Sequence, residues 1–409
     1  LIVCPASLVL NWAEECQKFT PELSCVVVDG DAAHRAELAE SWPAADLVVT
    51  SYDLLRRDEA LYEGQEFYAC ILDEAQAIKN HTTQKYKAVC KVRSRVRFAL
   101  TGTPVENRLG ELWSIFSFLM PGYLPPYKSF CSRFEKPIVQ EEDQTAVRRL
   151  NQLTGPFILR RMKSDVLKEL PPKTENVYRI ELEEEQRKLY LAAVVDAREK
   201  LQAAKPEDKM AVFAVLMRLR EICCDPRLIA DNWEGGSAKL DACAELVSSA
   251  VEGGHRILLF SQFTSMLELL AKRLDAEGIS HFTLQGSTPK PVRAELVRRF
   301  NGGEVSVFLI SLRAGGTGLN LTAADIVIHY DPWWNVAAQN QATDRAYRIG
   351  QQNPVQVYKL IAQDTIEEKI VELQQAKQSL ADTVTGTADG AILSMRPDEL
   401  LQLLEGSEP

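Results

Sequence analysis

Short apolar runs that close on small or polar residues, several of them separated by helix-length segments, set the tightest limit on how this chain can fold. Leu1-Ile2-Val3-Cys4 is followed by Pro5-Ala6-Ser7. Further runs cover Cys25 to Val28, Leu47 to Thr50, Ala69 to Asp73 and Val96 to Thr101, with a helix-length stretch such as His34 to Ser41 between them. Alternation of this kind predicts a parallel sheet, because parallel strands need helical crossovers to connect them. The strand ends at Ser7, Thr50-Ser51, Asp73-Glu74 and Thr101-Gly102-Thr103 would then share one rim. A second block of strands is expected at Arg256 to Phe260, His281 to Leu284, Val305 to Ile310, Asp325 to Tyr330 and Val355 to Leu360. With 409 residues, 46% of them hydrophobic, the chain can fill two such cores.

The stretch Ile71-Leu72-Asp73-Glu74-Ala75-Gln76 places two carboxylates at the end of an apolar strand. Ligands of open α/β sheets bind beyond the carboxyl ends of strands, and two acids there can hold Mg²⁺ and orient a water. Taken alone, the pair fits a solvated turn equally well. In the second block, Ser311-Leu312-Arg313-Ala314-Gly315-Gly316-Thr317-Gly318-Leu319-Asn320 follows a strand directly, and its glycines would leave backbone N–H groups facing phosphate oxygens. A plain glycine-rich turn is the alternative. Arg345 and Arg348 are three residues apart and would share a face if their stretch is helical, which would aim two guanidinium forks at one phosphate. A surface arginine pair is the alternative there.

The formal charge of −10 argues against a protein that coats nucleic acid through bulk positive charge. Nine cysteines without a C-x-x-C pair, and no apolar run long enough to span a bilayer, point to a soluble, reducing, intracellular compartment without membrane contact. Cys223 and Cys224 are expected to be buried thiols. Trp333 and Trp334 are expected to pack rather than stack on bases.

Taken together, these segments resemble the Swi/Snf-type, chromatin-remodeller-like ATPases of helicase superfamily two, the bacterial members above all. The matching stretches run in order through Pro5 to Trp12, Thr50-Ser51-Tyr52, Asp73 to Asn80, Thr101 to Leu119, Phe157 to Asp165, Leu216 to Leu228, Leu258 to Thr264, Ser311 to Leu321, Asp331 to Asn335 and Asp344 to Gln351. The resemblance implies an α/β chain of two RecA-like lobes with parallel sheets and helical insertions, binding ATP in the cleft between the lobes and double-stranded DNA across both. It implies that Asp73 holds Mg²⁺, Glu74 orients the attacking water, Gln76 couples nucleotide state to the DNA side, and Arg345 and Arg348 are arginine fingers. Nucleotide-binding positions would be Gly316, Gly318, Asn320 and Gln341. DNA-facing positions would be Ser7, Thr50, Ser51, Thr101, Ser261, Gln262 and Arg313. Gln76 departs from members with His there, yet an amide still donates and accepts.

No G-x-x-x-x-G-K-[ST] occurs in the sequence, and the family carries that phosphate loop upstream of Pro5. The expectation is a first lobe truncated at its N-terminus, and a fragment unable to hydrolyse ATP by itself. The expected boundaries are a first lobe over 1–160 with a helical insertion at about 105–155, a linker and second insertion over 161–235, and a second lobe over 236–409 ending in a short helix. The function expected of the whole protein is that of a DNA-dependent ATPase that translocates on duplex DNA, bacterial and nucleoid-associated, with other DNA-associated proteins as further partners. Two other readings stay open: a non-catalytic nucleic-acid-binding or regulatory scaffold, and a strand-separating or RNA helicase. The latter is disfavoured because Asp344-Arg345, Ile349-Gly350-Gln351 and the insertions resemble the translocase branch.

Overall fold

In a computed structural model of the protein, eleven described strands form two sheets in which every recorded pairing is parallel. The structure describes residues 1–102, 109–141, 143–159, 161, 166–167, 169–205, 208–230, 232–315, 319–374 and 397–405. These residues divide into two compact units, one ending at about residue 160 and the other formed by the chain beyond it.

In the first unit, β1 (Ile2–Cys4), β2 (Cys25–Val27), β3 (Leu47–Ser51), β4 (Glu66–Leu72) and β5 (Arg93–Ala99) are ordered β2-β3-β1-β4-β5. The register sets Cys4 beside Ser51, Val3 beside Leu72 and Leu72 beside Ala99. Consequently Ser7, Ser51, Asp73 and Thr101 all follow carboxyl ends at one edge, as the sequence pattern predicts. One face of this sheet buries Val3, Val48, Cys70 and Leu72 with Val89 and Phe118, and the other buries Ile2, Cys4 and Val49 under Val9 of the helix Val9–Phe19. Strand β5 begins three residues before the expected Val96, where Arg93 and Ser94 pair with Glu66 and Phe67 of β4; within it Arg97 lies over the Phe118 ring at 5.0 Å and donates to the Phe118 and Val92 carbonyls. The helices Leu109–Leu119 and Gln144–Thr154 share a separate core with Phe130 and Phe134, in keeping with the helical insertion.

In the second unit, β6 (Lys173–Ile180), β7 (Ile257–Ser261), β8 (His281–Leu284), β9 (Val307–Ser311), β10 (Ile326–His329) and β11 (Val355–Ala362) are ordered β6-β11-β10-β7-β9-β8. Strands β7, β9 and β10 are buried along their whole length, which is why they read as unbroken apolar runs. The unforeseen element is β6. Its seven exposed residues show no buried alternation, and its register along β11 from Lys173–Val355 to Ile180–Ala362 is set by backbone pairing. Charge assists: Glu175 accepts from Lys173 at 2.7 Å and Lys359 at 2.8 Å.

The helices Glu184–Ala203 and Lys209–Cys224 pack through Tyr190, Val194, Leu216 and Leu219 against Leu400 and Leu404 of the terminal helix Pro397–Glu405. Cys223 and Cys224 are fully buried there, and burial pushes both thiol pKa values up, which suits packing. Among the described residues no helix is long and apolar enough to cross a membrane.

His329 on β10 is buried against the Phe260 ring. The Thr343 hydroxyl donates to the Gln339 carbonyl, so His329 Nε2 must be the donor to Thr343 Oγ1 at 2.9 Å. The ring is therefore the neutral Nε2–H tautomer. Its Nδ1 has no partner among the described residues, so an added proton would be buried without an acceptor. Burial, with Lys359 next in weight, pushes the pKa from 6.5 down to about 3. A depressed histidine pKa means that the unfolded chain binds the proton first, so stability is present above the unfolded value and is lost as pH falls towards the folded one. Between about pH 6.5 and pH 5 this group should remove about 2 kcal/mol. Urea unfolding across that window should show a shallower decline for His329→Gln than for the parent; equal slopes would refute the assignment.

Candidate functional site

The edge of the first sheet builds a turn around the two acids. Strand β4 stops at Leu72, where the Asp73 N–H still donates to the Val3 carbonyl and the Ala75 N–H to the Leu100 carbonyl. Between these anchors Glu74 takes a left-handed conformation with φ 50° and ψ 54°. For a residue with a Cβ this costs roughly 1–2 kcal/mol, and such strain gathers at functional sites.

Asp73 is held at three points. Trp12 Nε1 donates to its Oδ2 at 2.8 Å, the Glu74 N–H donates to its Oδ1 at 2.9 Å, and the Tyr52 hydroxyl donates to its carbonyl at 2.8 Å. A carboxylate has about four acceptor positions, so capacity for a divalent cation remains. Tyr52 stays protonated because burial, and then the charge of Asp73, push its pKa up. From Glu74 the bonding continues outward: Gln76 Nε2 donates to Glu74 Oε2 at 2.7 Å, and the Thr101 hydroxyl donates to Gln76 Oε1 at 2.8 Å. Gln76 therefore uses both ends of its amide to join the acid turn to the turn after β5. Neither Trp12 nor Tyr52 was singled out from the sequence. The available signal was that an indole or phenol taken out of water needs a hydrogen-bond partner, and Trp12 is half-buried and Tyr52 buried.

The rim residues divide by burial. Ser7, Thr101 and Gln262 are half-buried at strand ends. Thr50, Ser51 and Ser261, expected to face DNA, are instead buried at 0%, 2% and 0% exposure. Each hydroxyl has an internal partner. Thr50 accepts from the Tyr62 hydroxyl, Ser51 caps the helix Tyr52–Arg57 by accepting from the Leu54 N–H, and Ser261 donates to Asp331 Oδ1 at 2.6 Å. Ser51 is turned inward because the helix Tyr52–Arg57 starts at once and needs its side chain for the cap. Gln262 donates its backbone N–H to Asp331 at 3.2 Å, while its Nε2 has no acceptor among the described residues. It lines a cleft of about 690 Å³ at the carboxyl edge of the second sheet, together with Gln285, Ser287, Ser311 and Trp333.

Asp331 beneath that cleft is fully buried, as is Arg220, whose Nη2 lies 3.2 Å from it. Burial raises the Asp331 pKa and the Arg220 charge opposes the shift. Arg220 also lies over the Trp334 ring at 4.4 Å, so Trp334 packs, as expected.

The arginine pair departs from expectation. The helix Val336–Thr343 ends before it, so Arg345 and Arg348 lie in turns rather than on one helical face. Beyond its end the Arg345 and Ala346 N–H groups donate three residues back, to the Ala342 and Thr343 carbonyls, and the Arg345 carbonyl accepts from the Leu321 N–H at 3.0 Å. Arg345 is 8% exposed, and half-buried Arg348 donates from Nη1 to the Leu319 carbonyl at 3.2 Å. Gln341 is half-buried on the helix, and exposed Asn320 offers its carbonyl to Asn301 Nδ2. Gly316, Gly318 and the Arg313 side chain lie outside the described residues.

The model of the SNF2-related domain matches residues 1–228, and that of the helicase conserved C-terminal domain matches 238–350. The chain belongs to the SNF2-related family. This SNF2-related chain is 40% identical to an uncharacterized ATP-dependent helicase of Mycoplasma pneumoniae, over 99% of its own length and 39% of that protein's. It is 39% identical to a putative ATP-dependent helicase/translocase of Bacillus subtilis, over 98% of its own length and 45% of the relative's. It is 35% identical to a mouse SWI/SNF-related, matrix-associated, actin-dependent regulator of chromatin, over 99% and 40%. The chain thus spans less than half the length of these curated relatives. The SWI2/SNF2 ATPase core domain of Sulfolobus solfataricus superposes with a TM-score of 0.50 at 35% identity, covering 99% of this chain and 83% of that one.

If the left-handed turn at Glu74 is strained, glycine should relieve it. Glu74→Gly should unfold at higher urea than Glu74→Ala, by about 1 kcal/mol, against the usual cost of glycine. A less stable glycine variant would remove the strain from the account.

Proposed function

We propose that these residues form the motor of an ATP-dependent translocase on double-stranded DNA. The observation that carries the reading is the bonded line Asp73–Glu74–Gln76–Thr101, which joins a strained acid turn to the turn after β5, the rim proposed to face DNA. In this reading Glu74 orients a water for attack on the terminal phosphoryl group, yielding ADP and phosphate, and Asp73 would hold Mg²⁺, which would neutralise phosphate charge. Trp12 and Tyr52 keep the Asp73 carboxylate and backbone aimed. Gln76 passes the state of the acid turn to Thr101.

The ATP-dependent names of the relatives and the family match support the class of reaction. On the DNA side, Ser7, Thr101, Gln262 and Arg313 are the proposed phosphate contacts, which position a backbone without reading bases. Thr50, Ser51 and Ser261 hold the rim from within. Gly316, Gly318, Asn320 and Gln341 are the proposed nucleotide contacts of the second unit, and Arg345 and Arg348 supply positive charge to the transition state. The setting proposed is the bacterial cytoplasm, on DNA. Because the 409 residues hold no G-x-x-x-x-G-K-[ST], turnover by them alone should be negligible and should return when such a segment is supplied.

In a protein that carries these residues with a phosphate loop, Arg345→Ala or Arg348→Ala should lower ATP turnover by about a thousandfold or more while duplex affinity stays within about twofold. Duplex affinity should fall steeply with added salt and hardly vary with sequence. Near-normal turnover in either variant would withdraw that arginine from catalysis, and a salt-insensitive affinity would withdraw the phosphate contacts.

A further inference from the structure

The turn that carries the two arginines is closed by a side chain to which neither the sequence reading nor the proposed chemistry gives a role. Gln351 is 6% exposed and every polar atom of its amide is used. Its Nε2 donates to the carbonyls of Ala324 at 2.7 Å, Ala346 at 3.1 Å and Thr322 at 3.2 Å. Its Oε1 accepts from the N–H groups of Gln352 and Asn353, both at 2.9 Å. Gly350, at φ 102°, supplies the reversal that turns the amide inward, a conformation that a residue with a Cβ rarely adopts.

The carbonyls of Thr322 and Ala324 belong to the stretch that follows the glycine-rich loop, and the Ala346 carbonyl belongs to the arginine turn. Two more bonds join the same pair of segments: Leu321 N–H to the Arg345 carbonyl, and Arg348 Nη1 to the Leu319 carbonyl. Of these links, Gln351 alone reaches both segments by side chain and also fixes the chain leaving the turn. Two hydrogens shared among three carbonyls make a junction that few other side chains could copy. Leucine would leave the carbonyls unpaired, and a carboxylate would repel them.

We propose that Gln351 is a positioning residue that fastens the arginine turn to residues 322–324, so that Arg345 and Arg348 keep the place that the proposed chemistry needs. This inference rests on the translocase reading, and the two fail differently. A parent protein with no DNA-dependent ATP turnover would sink the reading before any variant is made.

The test uses the protein with its phosphate loop, comparing the parent with Gln351→Ala and with Gln351→Glu, which keeps the volume and loses the donors. Measured are kcat and KM for ATP with saturating duplex DNA, duplex Kd, and the folded fraction from circular dichroism. A misplaced catalytic group costs about a hundredfold, so kcat should fall by about that factor in both variants, with KM and Kd within about twofold and the folded fraction unchanged. An unchanged kcat would overturn the proposal. So would a loss of kcat that only tracks the folded fraction, or a variant that does not fold, since Gln351 would then be a support of the core and nothing more.

Discussion

The indole N–H of Trp12 on the Asp73 carboxylate is the contact on which the first unit's arrangement turns. It reaches from the helix after β1 to the end of β4, strands paired side by side, and it fixes an acid that would otherwise rotate freely at a strand end. Asp73 is also held by Tyr52, and the residue that follows it, Glu74, is left-handed. That turn brings the Glu74 carboxylate within reach of Gln76, and Gln76 within reach of Thr101. A hydrogen bond to a charged group contributes about 1.5–3 kcal/mol, comparable to the strain it helps to hold.

Each unit sets an aspartate after a strand of a parallel sheet, and their surroundings give them opposite duties. Asp73 is half-buried, with acceptor capacity left for a ligand. Asp331 is sealed under Arg220, Ser261 and the Gln262 backbone, with its pKa raised by burial. In the proposed function the first serves a phosphate and its cation. The second locks the end of β10 to the end of β7 and to the helix Lys209–Cys224, which is what a buried pair of this kind does best: it specifies one arrangement. Environment, rather than residue type, divides chemistry from architecture here.

Much of the fold was legible because the central strands are buried on both faces and leave continuous apolar runs that few other structures produce. Strand β6 was not, since Lys173-Thr174-Glu175-Asn176 carries no apolar pattern and is paired through its backbone to β11. The acid turn was legible by type, but its partners Trp12 and Tyr52 lie 61 and 21 residues away, beyond any local rule. Hydroxyls at strand ends misled for a physical reason: Thr50, Ser51 and Ser261 sit at the rim in sequence, while the chain turns them inward to cap and to bridge. The arginine pair misled because the helix Val336–Thr343 stops short of it, and the turn beyond is tied to Leu321 and Thr322 by contacts that no local rule reveals.

The central claim is that Gln76 transmits between Glu74 and Thr101 as one bonded unit. A double-mutant cycle of Gln76→Ala and Thr101→Val, read on duplex-stimulated ATP turnover by a protein that carries these residues with a phosphate loop, addresses it directly. Contact through one hydrogen bond predicts a coupling of about 1–2 kcal/mol, so that the double variant is hardly slower than the worse single one. Independent, additive losses would mean that the bond between the two side chains carries no signal, and the account would be wrong at its centre.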